Sequence, residues 1–383
     1  MRYKSSSLKD LISFISKGIV PKYANSHDEN VIRVINQRCN RNGEITFKEA
    51  RYSDLSKRKV TNEKLLKNKD ILINSTGKGT AGRVAQISEN QLTEPTTVDG
   101  HMIIIRPSEK IDPDYLGYAL KAQQRVIESY AEGSTGQTEI NKQRLLDETI
   151  IKYPSKEEQR KIANIFINLD MKIKNNQKIN TNLLELLDAE FTNQFINSDL
   201  PIGKVNDFVS IKRGSSPRPI KNFLSDKGRA WIKISDVTKL TSPFLYDTAQ
   251  SIKESGIDKS RTIKPGTLIL SNSATPGIPI ISEILASVHD GWLIVDHYTH
   301  MDRNWFYLFF RQMRRQLIAR ANGSVFNNLK TDIVKDFPVP IAKEEELLKF
   351  KRISNPIFDK LDKLQQENIV LSKLKDILLK QYF

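Results

Sequence analysis

Lys17-Gly18-Ile19-Val20-Pro21-Lys22 returns later in the chain as Arg213-Gly214-Ser215-Ser216-Pro217-Arg218, and that return decides the fold. Ile32-Arg33-Val34-Ile35-Asn36 returns as Ile232-Lys233-Ile234-Ser235-Asp236, and Lys67–Ser75 as Lys264–Asn272. Gly133-Ser134 matches Gly323-Ser324, Lys156-Glu157-Glu158 matches Lys343-Glu344-Glu345, and Phe166…Leu169-Asp170 matches Phe358…Leu361-Asp362. The separations are 196, 200, 197, 190, 187 and 192 residues. One such match is weak. Six in the same order describe two diverged copies whose loops have gained and lost residues.

Each copy has two parts, residues 1–154 then 155–198, and again 199–341 then 342–383. The first part is mixed. Short β-branched runs such as Ile71-Leu72-Ile73 and His101–Ile105 alternate with Gly, Pro and Asn turns and read as strands. Tyr115–Tyr130 and Arg303–Ala321 read as helices. The second part is almost free of glycine and reads as helix throughout. Ile162, Ile165, Leu169, Asn176, Ile179, Leu183 and Leu186 fall three and four apart or in multiples, a coiled-coil seam. In the later helix Phe350, Ile357, Leu364, Leu371 and Leu378 recur every seven, with Ile353, Leu361 and Leu374 between. Asn368 lies 192 residues after Asn176, so both seams carry an Asn at one repeat position. Such an Asn is either a solvated surface residue or a polar pair that sets register. Asn355-Pro356 predicts a break, with the long helix running from about 356 onwards. The ends of a compact domain lie close together, so helices on either side of the second globule must run antiparallel if they pack. The fold class is therefore α+β. Two mixed α/β globular domains are joined by two long helices forming an antiparallel coiled coil, with pseudo-twofold symmetry.

The chain has 383 residues, with 60 Lys and Arg against 45 Asp and Glu, a net charge of +15. The four segments carry +6, 0, +7 and +2, so the excess sits in the mixed domains. That balance points to a polyanion partner. No apolar run approaches the roughly 18–20 residues of a membrane helix, and Met1–Asp10 lacks an apolar signal core. Cys39 stands alone and forms no internal disulfide. A cytoplasmic protein is expected.

No catalytic constellation emerges. Gly77-Lys78-Gly79-Thr80-Ala81-Gly82 fits the dinucleotide pattern, but Arg83–Ser88 alternates like a strand where that fingerprint needs a helix, so a tight hairpin or basic loop is expected. Asn355-Pro356-Ile357-Phe358 has the look of an amino-methyltransferase motif but lacks its second Pro and lies within heptads. His289, His297 and His300 with Asp290, Asp296 and Asp302 could be imagined as a metal site, yet the first copy has no such cluster, and no metal is assigned.

The duplicated organisation, the paired Gly-x-x-Pro turns (Gly18…Pro21, Gly214…Pro217) and the run Pro154-Ser155-Lys156-Glu157-Glu158-Gln159-Arg160-Lys161-Ile162 resemble the specificity subunits of type I restriction-modification systems, the HsdS family. Ser271–Pro279 is similar to one kind of target-recognition domain in that family. The likeness spans essentially the whole chain, although Pro340 is followed by Lys343-Glu344-Glu345-Glu346 without the Gln. The resemblance implies that each mixed domain reads half of a split, asymmetric site in double-stranded DNA. It implies that the paired helices fix the spacer and dock two methyltransferase subunits. It further implies that S-adenosylmethionine, ATP and Mg belong to methyltransferase and restriction/translocase partners, so that this chain binds no cofactor and is not itself an enzyme. A DNA-binding scaffold or regulator without methyltransferase partners, or a nucleic-acid enzyme with a dispersed active site, are the alternatives.

Phosphate neutralisation needs Lys and Arg, and base reading needs polar side chains on loops. In the first domain the candidates are Lys17, Lys22, Tyr23, Arg38, Lys78, Thr80, Arg83, Thr135, Gln137, Thr138 and Asn141. In the second they are Arg213, Ser215, Arg218, Lys221, Asn272, Ser273, Thr275, His297, Asn327 and Asn328.

Overall fold

The structure is a computed structural model that describes residues 3–26, 28–133, 138–238, 240–321 and 328–383. It divides into two compact units, Met1–Met171 with Ser372–Phe383, and Lys172–Leu371. The division falls within the long helices, whereas the sequence segments begin and end where those helices do.

In the first unit an antiparallel sheet runs in the order Ile12–Lys17, Met102–Pro107, Ile71–Asn74, Val84–Gln86. Its central strands are apolar at consecutive positions, Ile71–Ile73 and Met102–Ile105, rather than at every second one, because both faces are buried. Ile71, Ile73, Ile103 and Ile105 pack with Leu116, Leu120 and Phe166 on one side. Leu72, Met102 and Ile104 pack with Ile35, Cys39 and Val98 on the other. The second face is covered by a sheet of Thr96–Val98, Val31–Ile35, Arg51–Asp54 and Tyr23–Ala24, whose first pair is parallel.

The second unit repeats this order. Ser210–Arg213, Trp292–Asp296, Thr267–Ser271 and Pro279–Ser282 form the antiparallel sheet, extended by Phe244–Leu245. Leu268, Leu270, Leu293 and Val295 face one core, and Ile269, Trp292 and Ile294 the other. Arg229–Ile232 and Ala286–Val288 make the corresponding parallel pair. The helix Arg303–Ala321 forms where the sequence predicts it, while Tyr115–Tyr130 resolves into Pro113–Ala122 and Gln124–Ser129.

Gly77, Gly79 and Gly82 all have positive φ, and they close a hairpin between Ile71–Asn74 and Val84–Gln86. A strand follows them, so the dinucleotide reading has no helix N-terminus to rest on.

The first long helix is Lys156–Phe191 and the second is Glu344–Tyr382. They pair antiparallel inside each unit. In the first, Phe166 meets Tyr382 and Phe383 at ring distances of 6.3 and 5.7 Å, and Lys375 Nζ lies 2.5 Å from Asp170. In the second, Lys172 pairs with Glu367 at 3.2 Å and Phe191 meets Phe350 at 5.8 Å.

Three expectations about these helices need correction. Ile165, Ile179 and Leu186 are not in the seam, being 38%, 41% and 54% exposed. The buried stripe lies one position further on, at Phe166, Asn180 and Leu187, with Ile162, Asn176, Leu184 and Phe191. Polar residues, Asn176 and Asn180, fill two of its places, so apolarity at three- and four-residue spacing traced the edge of the stripe. Leu169 and Leu183 are half-buried. In the second helix Leu361, Leu364 and Asn368 are buried, Ile357, Leu371 and Leu378 are half-buried, and Ile353 and Leu374 are exposed. Finally, the helix does not break at Pro356 but runs through it. Pro356 and Arg352, four residues earlier, are both exposed, so the carbonyl deprived of its N–H partner is left to solvent.

Candidate nucleic-acid interface

At one end of each antiparallel sheet, stretches far apart in sequence are laced together by backbone hydrogen bonds. In the second unit Gly214 N donates to Trp292 O at 2.8 Å, Asn272 N to Gly291 O at 2.9 Å and Leu329 N to Asn272 O at 2.8 Å. In the first, Gly18 N donates to Met102 O at 3.1 Å, Ser75 N to His101 O at 2.8 Å and Ile140 N to Ser75 O at 2.7 Å. The two patterns correspond bond for bond. Turns with backbone ends fixed this way present polar side chains from a rigid base.

The second unit centres on Asp290. Its Oδ1 accepts from the Ser216 hydroxyl at 2.8 Å, and its carbonyl accepts from Arg213 Nε at 2.8 Å and Asn272 Nδ2 at 3.1 Å. Oδ2 lies 3.5 Å from Arg218 Nη2 and 3.9 Å from Arg213 Nη2. Partial burial works to raise this carboxyl, but the Ser216 hydroxyl, a backbone N–H and Arg213 hold it below the usual carboxylate range. Beside it, burial lowers the His289 imidazole, whose Nδ1 accepts from Gly291 N at 2.8 Å.

In the first unit Lys17 forms an ion pair with Glu139, and Thr76 Oγ1 lies 2.8 Å from His101 Nδ1. Thr80 Oγ1 lies 3.4 Å from Gln37 Oε1, and Arg83 Nη2 donates to Gly79 O at 2.9 Å. An open polar cavity of about 390 Å³ is lined by Tyr23, Gln37, Arg38, Lys48, Arg51 and Asp99, among others. The Arg51 guanidinium stacks 3.4 Å from the centroid of the Tyr23 ring. Asp99 is buried, which raises its carboxyl, while the His101 N–H works to lower it. Cations around a polar cleft suit a phosphate backbone.

The candidates thus divide. Lys17, Thr80, Arg83, Arg213, Ser215, Arg218 and Ser273 lie on or beside the converging turns, and Tyr23 and Arg38 line the cavity. Lys22, Lys78 and Asn328 are exposed on loops, and Lys221 is exposed on the single-turn helix Ile220–Asn222. Thr138 offers its carbonyl to Gly77 N at 3.4 Å, and Thr275 N bonds Ser273 O at 2.6 Å. Asn141 caps the helix Lys142–Glu148, accepting from Gln143 N and Arg144 N at 3.0 and 3.1 Å. Asn272 is only 3% exposed, so it braces the Asp290 turn from inside and offers no side chain to a base edge. His297 lies beyond the far end of Trp292–Asp296 from that turn, roughly 17 Å along the strand. The same strand separates His289 from His297 and His300. Thr135, Gln137 and Asn327 lie outside the described residues.

Asp290, Ser216, Asp99, Gln37, Lys48 and Arg51 were missed. A signal for two of them was present. Asp99-Gly100 and Asp290-Gly291 are 191 residues apart, although strand register aligns Asp99 with His289, one position earlier.

Among the described residues no helix is long and apolar enough to cross a membrane. A family model described as the type I restriction modification DNA specificity domain matches residues 2–185. The chain is 24% identical over 335 residues to the type I restriction enzyme MjaIX specificity subunit of Methanocaldococcus jannaschii, covering 79% of this chain and 74% of the relative. Its fold is similar to the crystal structure of the type I restriction-modification S subunit from M. genitalium, with a TM-score of 0.60 at 16% identity over 100% of this chain and 96% of the other. Duplicated topology, twinned turn clusters and these likenesses agree: residues 2–185 match the type I restriction modification DNA specificity domain, and the chain as a whole is similar to type I restriction-modification specificity subunits.

Proposed function

We propose that this chain reads a bipartite, asymmetric DNA site, one half through each unit, for a complex that methylates adenine or cleaves DNA. The observation that carries the reading is the bond-for-bond recurrence of the turn cluster in both units with different side chains on it. One scaffold used twice suits one kind of ligand met twice. Different side chains suit two different half-sites, hence asymmetry. Lys17 and Arg213 stand at one repeat position, as do Lys22 and Arg218, so basic character persists while hydrogen-bonding geometry changes.

Two methyltransferase subunits, and restriction subunits after them, dock on this chain in the cytoplasm. Exposed apolar side chains on the long helices support a covered surface on each unit, Leu374 and Ile377 in the first and Ile179 and Leu186 in the second. Any S-adenosylmethionine, ATP and Mg are held by those partners, and the target adenine is turned out of the duplex into the methyltransferase.

The test is methylome sequencing of cells that carry the methyltransferase partner with and without this chain. Methylated adenines within one two-part motif, present only with the chain, are the expected result. Methylation of an unchanged motif in its absence, or by the purified chain alone with S-adenosylmethionine, would refute the proposal.

A further inference from the structure

We infer that Asp290 is a specificity-determining residue that holds Arg213 and Arg218 to read a guanine in the half-site of the second unit. This deepens the DNA-reading proposal and rests on it.

The Asp290 turn is tied at three points. Ser216 Oγ holds the carboxylate, and Arg213 Nε and Asn272 Nδ2 hold the carbonyl. The carboxylate oxygen left over faces Arg218 Nη2 at 3.5 Å and Arg213 Nη2 at 3.9 Å. The Arg218 side chain is 84% exposed and that of Arg213 is 55% exposed, so both guanidinium groups remain accessible.

Charge decides what they fit. A phosphate clamp gains from unopposed positive charge, and a carboxylate within 4 Å of both guanidinium groups repels phosphate oxygens. A neutral base edge carries only partial charges and feels that repulsion weakly. Guanine presents O6 and N7, two acceptors matched by the planar fork of an arginine. A fork held in advance by a carboxylate loses less side-chain freedom when it binds.

The first unit shows the contrast. By strand register the Asp290 position is taken there by Gly100, which carries no carboxylate, and Lys17 at the Arg213 position pairs instead with Glu139. An ammonium group offers no fork. The carboxylate-held arginine pair is therefore a feature of the second unit.

The experiment is selection of randomised DNA duplexes by the purified full chain and its R218A, R218K and D290N variants, with salt dependence measured on the selected site. Wild type is expected to select a two-part motif with a guanine in one half. R218A and R218K should both lose preference at that guanine by roughly tenfold or more, R218K while keeping its salt slope, and D290N should lose part of it at the same position. Arg218 is exposed, and unchanged melting temperatures will show that its variants fold. If R218A weakens binding equally on all sequences while R218K restores it, Arg218 is a phosphate contact and the inference falls with the DNA-reading proposal intact. If wild type selects no motif, the DNA-reading proposal fails and the inference with it.

Discussion

Gly18 and Gly214 have no side chain because there is no room for one. A Cβ on Gly18 would sit 2.0 Å from the Val98 carbonyl oxygen, and one on Gly214 would sit 2.1 Å from that of His289. In both units the closeness follows from the backbone bond that ties the Gly-x-x-Pro turn to the neighbouring strand. The glycine is thus part of the turn cluster, not a marker of flexibility. His289 gives this scale its pH dependence. Burial holds its folded pKa below the ordinary 6.5, and Nδ1 must stay unprotonated to accept from Gly291. The unfolded chain therefore binds more protons as pH falls through about 6.5, and stability falls with it. The melting temperature of wild type is expected to drop on acidification from pH 7.5 to 5.5 more than that of H289Q. Equal drops would show that His289 takes no part.

The long helices show how a polar residue serves inside an apolar seam. Asn176 Nδ2 donates to Asn368 Oδ1 at 3.0 Å and to Glu367 Oε2 at 2.8 Å, with both Asn side chains buried in the second unit. A pair of this kind specifies register at a cost in stability. N368A leaves Asn176 without one buried partner and should cost about 1–3 kcal/mol in denaturant unfolding. The double variant N176L/N368L should recover that loss, because replacing both partners removes the unmet polar group. A double variant less stable than N368A would contradict the account. That an Asn lies at this repeat position in both helices was legible from the 192-residue separation, whereas its pairing was not. Ile165 and Phe166 are equally apolar as letters, and only packing shows which one is buried. Pro356 misled for a related reason. Its local preference ends helices, but an exposed missing bond costs less than the burial of Phe350, Phe358 and Leu361 on either side sustains.

Over the whole molecule, duplication is the organising fact. Both units build two sheets whose shared strands follow the same order, including one parallel pair at the same place, and the second unit adds an edge strand to each sheet. The proposal assigns sequence reading to the units and spacing to the helices, and those assignments separate. Seven residues added to each long helix at facing positions preserve the seam and lengthen the pair by ~10.5 Å. That equals about 3 base pairs of duplex. Methylome sequencing should show a spacer longer by that amount and both half-sites unchanged. Altered half-site bases would overturn the division of labour.

From its letters alone this chain determined the duplication, the alternation of mixed and helical segments, the basic excess of the mixed domains and the positions of the turns. These are properties of order along the chain, carried by periodicity, by glycine and proline, and by charge. Only the tertiary structure decided which turns meet, that Asn272 faces inward while Arg218 faces outward, and that Asp290 stands between two arginines. Those facts depend on strand register, which brings residues more than seventy positions apart within one hydrogen bond of each other.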